Sequence, residues 1–422
     1  IVEYEDPTTA NFKIGDGQKG CFVKAEMGLG KSDTLLKQIK DHNNCILIKD
    51  IVKKVDNNQI FLNYTKEFKR ILMISHRRSL ASKFFGDLRQ MKFDIYFDYK
   101  GYSNLNNDRL IIQLDSIYKV SLTAFDLVIL DECESLFSHF KYGQMRHKNE
   151  NIIMLETHIK QAGRVVLMDA NLSIKSYEIM SKIDDLNKYT LIANKYKILK
   201  GWKMNFINGD EQVKMIDNDI KDGKKVCVAS LSKNMINSHY GKIVPDHLLY
   251  SAETDSDKKF EDIMNINEAW KDRNIIYTPT ISSGVSCTIK DQFINIYGYS
   301  NNKSALATDF FQMLRRVRHP INHAFNIYNE HVDYHSALLS LEEIEKYIKY
   351  SHLITDQNHL IADIPKFINN SKYEPIKNTA YYIHIYNILE EEINRCFFKN
   401  VLVYLAVEKG LIISSSENAN KK

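Results

Sequence analysis

Proline is scarce in this chain, at 6 of 422 residues, and glycine is modest at 16. Collagen-like, proline-rich and glycine-rich low-complexity architectures are thereby excluded. Cysteine is equally thin. Cys21, Cys45, Cys133, Cys227, Cys287 and Cys396 form no CxxC pair and have no histidine at ligand spacing, which argues against a disulfide framework and against a zinc or iron–sulfur site. No apolar run approaches the roughly 18 residues of a membrane span, and the N-terminus lacks a charged-then-apolar signal pattern. A soluble, intracellular protein in a reducing setting, with no membrane partner, is expected. An excess of one charge is missing too, because 57 Lys+Arg against 53 Asp+Glu leave a formal net charge of +4. That balance allows contact with a phosphate backbone along a limited groove and does not demand it. No repeat of 20–50 residues is evident, so solenoids and propellers are out. The chain starts at Ile1 and ends in the polar tail Ser414–Lys422, which reads as a segment of a longer polypeptide with neighbouring domains.

What is present is an ordinary globular composition, 44% hydrophobic and 26% charged, long enough for two or three domains. Short apolar runs alternate with helical patterns, the signature of βα units on a parallel sheet, so the fold class is α/β. A first series of strands is predicted at Cys21–Lys24, Arg70–Ser75, Arg109–Gln113, Asp126–Leu130 and Arg164–Met168. A second is predicted at Lys225–Ser230, His247–Tyr250, Asn274–Thr278, Phe293–Tyr297 and His323–Tyr328, with helices at Ser232–Lys242 and Ala305–Arg318 between them. The polar, aperiodic stretch Ala193–Gly201 reads as the linker. Beyond Asp333 only helical patterns follow, at Glu342–Tyr350 and Ala380–Val407. The expected division is residues 1–195, residues 196–333 and a helical C-terminal extension at 334–422.

Three motifs carry chemistry. The strand Cys21–Lys24 feeds Ala25-Glu26-Met27-Gly28-Leu29-Gly30-Lys31-Ser32-Asp33, followed by a helical stripe at Leu35, Leu36 and Ile39. This is the setting of a phosphate loop, in which glycines let backbone N–H groups curl around phosphates at a helix N-terminus, Lys31 reaches the β and γ oxygens and Ser32 ligates magnesium. Ala25 stands where the eight-residue pattern asks for glycine. The apolar run Phe125–Leu130 ends in Asp131-Glu132-Cys133-Glu134, and the carboxyl edge of such a strand is where ligands bind in open α/β sheets. Asp131 is the expected metal ligand and Glu132 the base that activates water against the γ-phosphate. Taken alone, an acidic strand end is a cap or a turn. Gln312-Met313-Leu314-Arg315-Arg316-Val317-Arg318 then places three arginines in four residues. Such residues stabilise charge on a transferring phosphoryl group, although a basic helix end alone is a solvated face.

In this order and spacing the three elements resemble motifs I, II and VI of the superfamily 2 helicases. Ile74-Ser75-His76-Arg77-Arg78-Ser79-Leu80-Ala81 resembles motif Ia, Gln113-Leu114-Asp115-Ser116 motif Ib, and Met168-Asp169-Ala170-Asn171-Leu172-Ser173 motif III. Val228-Ala229-Ser230-Leu231-Ser232 resembles motif IV, and Tyr277-Thr278-Pro279-Thr280-Ile281-Ser282-Ser283-Gly284-Val285-Ser286 motif V. Within that superfamily the combination looks most like the herpesvirus replication-origin-binding helicases and their relatives in other large DNA viruses, over about Cys21 to Pro320.

The resemblance implies two RecA-like lobes binding ATP and Mg2+ and moving on single-stranded or forked DNA in viral replication at a host-cell replication site. It implies other replication proteins, or fused primase or DNA-recognition domains, as partners. The implied catalytic set is Lys31, Asp131, Glu132, Gln312, Arg316 and Arg318. Nucleotide binding falls to Ala25, Met27, Gly28, Leu29, Gly30, Lys31, Ser32, Asp33 and Gly284, with Ser32 and Asp131 holding the metal. Nucleic-acid contacts fall to His76, Arg77, Gln113, Asp115, Ser230, Ser232, Thr278 and Thr280. Arg315 replaces a glycine usual in motif VI, Asn171 a threonine or serine of motif III, and Ser286 an aspartate found in many relatives. Two other readings stand beside this one: a nucleic-acid-binding ATPase switch or scaffold that unwinds nothing, and an RNA helicase.

Overall fold

A computed structural model of the chain describes residues 2–5, 18–26, 31, 68–88, 91–141, 145–281, 285–351 and 376–416. These form two compact units, Ile1–Tyr196 with Ser340–Ile388, and Lys197–Leu339 with Leu389–Lys422. Each is a parallel sheet with flanking helices, the architecture of a RecA-like lobe.

The sheet of unit 1 contains β1 (Val2–Tyr4), β2 (Gly20–Lys24), β3 (Ile71–Ser75), β4 (Asp94–Ile95), β5 (Arg109–Gln113), β6 (Leu127–Asp131), β7 (Arg164–Asp169) and β8 (Tyr189–Asn194). Their order is β1-β8-β2-β7-β6-β3-β5-β4, and every pairing is parallel. The central strands β3 and β6 are buried along their whole length, as continuous apolar runs must be when both faces of a parallel sheet are covered. Lys24 pairs with Asp169 and Asp131 with Met168. The loops after β2, β6 and β7 therefore leave the sheet side by side at one edge, where β3 and β5 also end.

Unit 2 contains β9 (Lys203–Phe206), β10 (Lys225–Ser230), β11 (His247–Tyr250), β12 (Asn274–Tyr277), β13 (Phe293–Ser300), β14 (Ala324–Asn329) and β15 (Ile412–Ser415). The order is β11-β12-β10-β13-β14-β9-β15, again all parallel. Gly298 lets a helix pack directly on β13, since a Cβ there would lie 2.8 Å from Phe310 Cζ and 3.1 Å from Leu314 Cδ2. That helix spans Ala307–Leu314, shorter than the expected Ala305–Arg318. The chain turns at Arg315 and Arg316 and then bridges Cys287 through Val317, with Cys287 N donating to Arg316 O at 2.8 Å and Arg318 N to Cys287 O at 2.9 Å. Pro320 then bars a return to helix.

The C-terminal stretch read as a helical extension, residues 334–422, is distributed between the two units. The helix Thr379–Glu408 has non-helical backbone at Phe397. Ile383 joins the core of unit 1, where Asn387 Nδ2 also donates to Phe137 O at 3.0 Å. Phe398, Leu402, Leu405 and Ala406 join that of unit 2. A strand then follows, β15, which pairs with β9 at the sheet edge. It has two apolar residues and mostly exposed positions, too little signal for periodicity to register.

Candidate functional site

The edge of unit 1 gathers the phosphate-loop start, the acidic strand end and the third motif. Ala25 is 1% exposed and its N–H donates to Asp169 O at 3.3 Å. The Lys31 ammonium folds back on this loop, donating to Ala25 O at 2.5 Å and Glu26 O at 3.3 Å. Met27, Gly28, Leu29, Gly30, Ser32, Asp33 and Gly284, all expected at the nucleotide, lie outside the described residues.

Asp131 ends β6, buried, with Oδ1 accepting the Glu132 N–H at 3.1 Å. Glu132 has left-handed backbone, φ 52 and ψ 51, at the junction with the helix Cys133–His139. A non-glycine residue is held there at a cost of order 1–3 kcal/mol, which rigid surroundings must offset and which is characteristic of functional positions. Its carboxylate stays partly exposed, with His76 Nε2 3.8 Å from Oε2.

Asp169 binds the motifs together. Its Oδ2 accepts from Glu134 N at 3.0 Å and its Oδ1 from Asn171 N at 2.8 Å. Burial, and then the neighbouring Glu134 carboxylate, push its pKa up to about 7, against the Asn171 N–H and Lys31, which hold it down. Glu134 in turn accepts from Ser173 N at 2.7 Å and lies 3.6 Å from Lys175 Nζ, itself 2.6 Å from Ser138 Oγ. Glu134, Lys175 and Ser138 have no role in the motif pattern, and packing alone brings them together. A carboxylate in the fourth position of the acidic motif was the one available signal.

Of the residues expected to face nucleic acid, His76 is turned inward and only 5% exposed. Burial, Arg77 and His139 hold its imidazole well below the usual range, so it is neutral. Arg77, Gln113 and Asp115 remain half-buried at the strand ends. Gln113 Nε2 donates to Asp115 Oδ2 at 2.7 Å, and His139 Nε2 lies 3.0 Å from the same oxygen.

In unit 2, Ser230 is fully buried and its hydroxyl donates to Ser232 O at 2.9 Å, shaping the loop after β10. Ser232 caps the next helical turn through Met235 N at 3.2 Å. Thr280 is half-buried, while Thr278 is buried, and their hydroxyls lie 3.2 Å apart beside Tyr250 O. Gln312 is buried on the helix Ala307–Leu314. The three arginines differ in their surroundings. Arg315 lies over the Trp202 ring at 5.3 Å, and its φ of −88 and ψ of 6 need no glycine. Arg316 Nη1 donates to Val285 O at 2.8 Å. Arg318 Nε donates to Ser286 Oγ at 2.7 Å, while its buried Nη1 has no hydrogen-bond partner among the described residues. Burial and the adjacent Arg315 and Arg316 lower its pKa to about 9, leaving it cationic at neutral pH.

Among the described residues no group of three or more His, Cys, Asp or Glu side chains is arranged to hold a metal. Magnesium does not need one, since it is bound through one or two protein oxygens together with phosphate oxygens and water. The buried Asp131 carboxylate beside the Lys31 loop fits that donor set. Among the described residues no helix is long and apolar enough to cross a membrane.

Comparisons with known proteins bear on the family resemblance and on the fold. Residues 58–202 match the family described as origin of replication binding protein. A protein of Acanthamoeba polyphaga mimivirus, provisionally named a replication origin-binding protein, is 29% identical over 95% of this chain and 50% of its own length. A provisionally named helicase/primase complex protein of African swine fever virus is 29% identical over 70% of this chain and 27% of its own. The replication origin-binding protein of human herpesvirus 7 is 24% identical over 46% of this chain and 22% of its own. The chain thus spans half or less of the length of these relatives. In fold it is similar to S. cerevisiae Dbp5 bound to RNA and ADP BeF3, at TM-score 0.52 and 12% identity over 76% of this chain and 81% of the other. It is also similar to Mss116p bound to ssRNA and AMP-PNP, at TM-score 0.51 and 12% identity over 97% of this chain and 91% of the other.

Proposed function

We propose, from the premise that this chain resembles the origin-binding helicases of large DNA viruses and has the two-lobed helicase fold, that it is an ATP-hydrolysing motor acting on single-stranded or forked DNA in viral replication. The observation that carries the reading is the pairing of Asp131 and Glu132 at the end of β6 beside the Lys31 loop, with Glu132 in left-handed backbone. One carboxylate is buried and oriented, and the other keeps an exposed face for water.

In this reading Lys31 exchanges its two loop carbonyls for β- and γ-phosphate oxygens, and Asp131 with Ser32 holds Mg2+. Bound Mg2+ supplies charge neutralisation on those oxygens. Glu132 accepts the proton of the attacking water. Arg318, whose Nη1 is buried without a partner among the described residues, is the residue that takes the arginine-finger role toward the γ-phosphate. Arg316 holds the loop after β12 through Val285 O. Arg77, Gln113, Ser232 and Thr280 contact the strand through its phosphates, so sequence preference is weak. Replication proteins, or primase and DNA-recognition domains elsewhere in the same polypeptide, are the proposed partners.

The test is displacement of a tailed DNA duplex and of a matching RNA duplex under conditions in which ATP turns over. DNA displacement supports the proposal. Displacement of RNA alone assigns an RNA helicase, and hydrolysis with no displacement of either assigns an ATP-driven switch.

A further inference from the structure

Glu132 and the proposed nucleic-acid segment at Gln113 and Asp115 belong to different strands of unit 1, yet a line of polar contacts joins them. Tyr96 OH donates to Gln113 Oε1 at 2.5 Å and fixes that amide. Gln113 Nε2 donates to Asp115 Oδ2 at 2.7 Å, and His139 Nε2 lies 3.0 Å from the same oxygen. The His139 ring meets the His76 ring edge-on with centroids 6.4 Å apart, and His76 Nε2 is 3.8 Å from Glu132 Oε2. A second, backbone link runs from Gln113 Nε2 to His76 O at 3.4 Å.

The last gap is the adjustable one. At 3.8 Å the imidazole is outside hydrogen-bond range, and an approach of about 0.6 Å or more makes a hydrogen bond to the base. Arg77, His139 and Glu132 are among the groups facing His76, and its imidazole is neutral in their company. The contact is therefore not a locked ion pair, and small shifts of the ring reach the carboxylate.

We propose that His139 and His76 form a relay through which nucleic acid bound at Gln113 and Asp115 repositions Glu132, so that hydrolysis accelerates when a strand is engaged. The proposal rests on the reading of Glu132 as the hydrolytic base. Both histidines are positioning residues: His76 bears on the base, and His139 carries the state of Asp115 to His76. A carboxylate misplaced by about 1 Å loses on the order of 100-fold in rate, so a sub-ångström adjustment is sufficient for a tenfold stimulation.

The experiment measures steady-state ATP hydrolysis by the full chain with and without an oligodeoxythymidine strand, together with binding of that strand, in wild type, His139→Ala and His139→Gln. For His139→Ala the expected result is basal kcat and strand Kd within about twofold of wild type, with stimulation by the strand reduced about tenfold, and the loss in kcat rather than in KM for ATP. His139→Gln, whose amide still donates to Asp115, recovers much of the stimulation. Wild-type stimulation in His139→Ala overturns the relay, as does a loss of strand binding that accounts for the change. A wild-type protein that hydrolyses ATP equally with and without the strand overturns it too. Absence of hydrolysis in wild type at every condition overturns the underlying reading of the site.

Discussion

Replacing Asp169 by asparagine removes the buried carboxylate that ties the loop after β7 to the start of the helix after β6, and the effect depends on pH. In the folded chain its pKa is pushed up to about 7 from 3.8, chiefly by burial and then by Glu134. The folded state therefore binds more protons than the unfolded chain between those two values. The stability this group contributes is fully present below the unfolded pKa and is lost as pH rises through about 7. A displacement of about three units at 1.36 kcal/mol each sets an upper limit of about 4 kcal/mol. Asparagine has no such slope. It offers one acceptor to the two backbone donors, Glu134 N and Asn171 N, which costs about 1–3 kcal/mol for the donor left unsatisfied. The variant is thus expected to be less stable than wild type near pH 5 and to match or exceed it near pH 8. Both tryptophans, Trp202 and Trp270, lie in unit 2. Urea titrations of unit 1 must therefore be read by far-UV circular dichroism, with tryptophan fluorescence isolating the other transition. Parallel loss of stability in both proteins from pH 5 to pH 8 refutes the assignment.

Lys175→Met leaves Glu134 buried without the cation 3.6 Å away and is expected to cost unit 1 about 3–5 kcal/mol, seen as a lower urea midpoint by circular dichroism. Gly298→Ala drives a Cβ against Phe310 and Leu314; a loss of about 1–3 kcal/mol, read by tryptophan fluorescence, is expected of unit 2. Arg318→Ala is expected to lower kcat by on the order of 1,000-fold or more, with only a modest fall in melting temperature from the part-buried hydrogen bond to Ser286 Oγ that it loses. Arg316→Ala, which loses a buried hydrogen bond to Val285 O, shifts the melting temperature as well.

Most of the strands that apolar runs revealed are buried on both faces, while β11, half-buried over three of its four positions, was found all the same. All five positions of β3 and of β6 are buried, and so are all four of β12, which is why their apolar runs stand out. The strands missed are short, marginal or partly exposed: β4 has two residues, β8 is half-buried at four of its six positions, and β9 opens on an exposed lysine. The candidate site divides in the same way. Asp131 and Glu132 were legible because their chemistry lies in adjacent residues at the end of an apolar run. His139 and Lys175 were not, because they reach Asp115 and Glu134 only through the packing of helices onto the sheet. Arg315 in a glycine's place could not be interpreted from local sequence, since the ring it covers, Trp202, lies far away along the chain. His76, which the motif pattern assigns to nucleic acid, is buried with its Nε2 3.8 Å from Glu132 Oε2, a placement that no local sequence signal shows.

The central claim is that Lys31, Asp131 and Glu132 make unit 1 an ATP-hydrolysing site, and Glu132→Gln against Lys31→Ala tests it most directly. Equilibrium ATP binding and single-turnover hydrolysis are measured on both variants and wild type. The account predicts that Glu132→Gln binds ATP as wild type does while hydrolysis falls by at least about 100-fold, and that Lys31→Ala loses both binding and hydrolysis. Wild-type hydrolysis in either variant contradicts it.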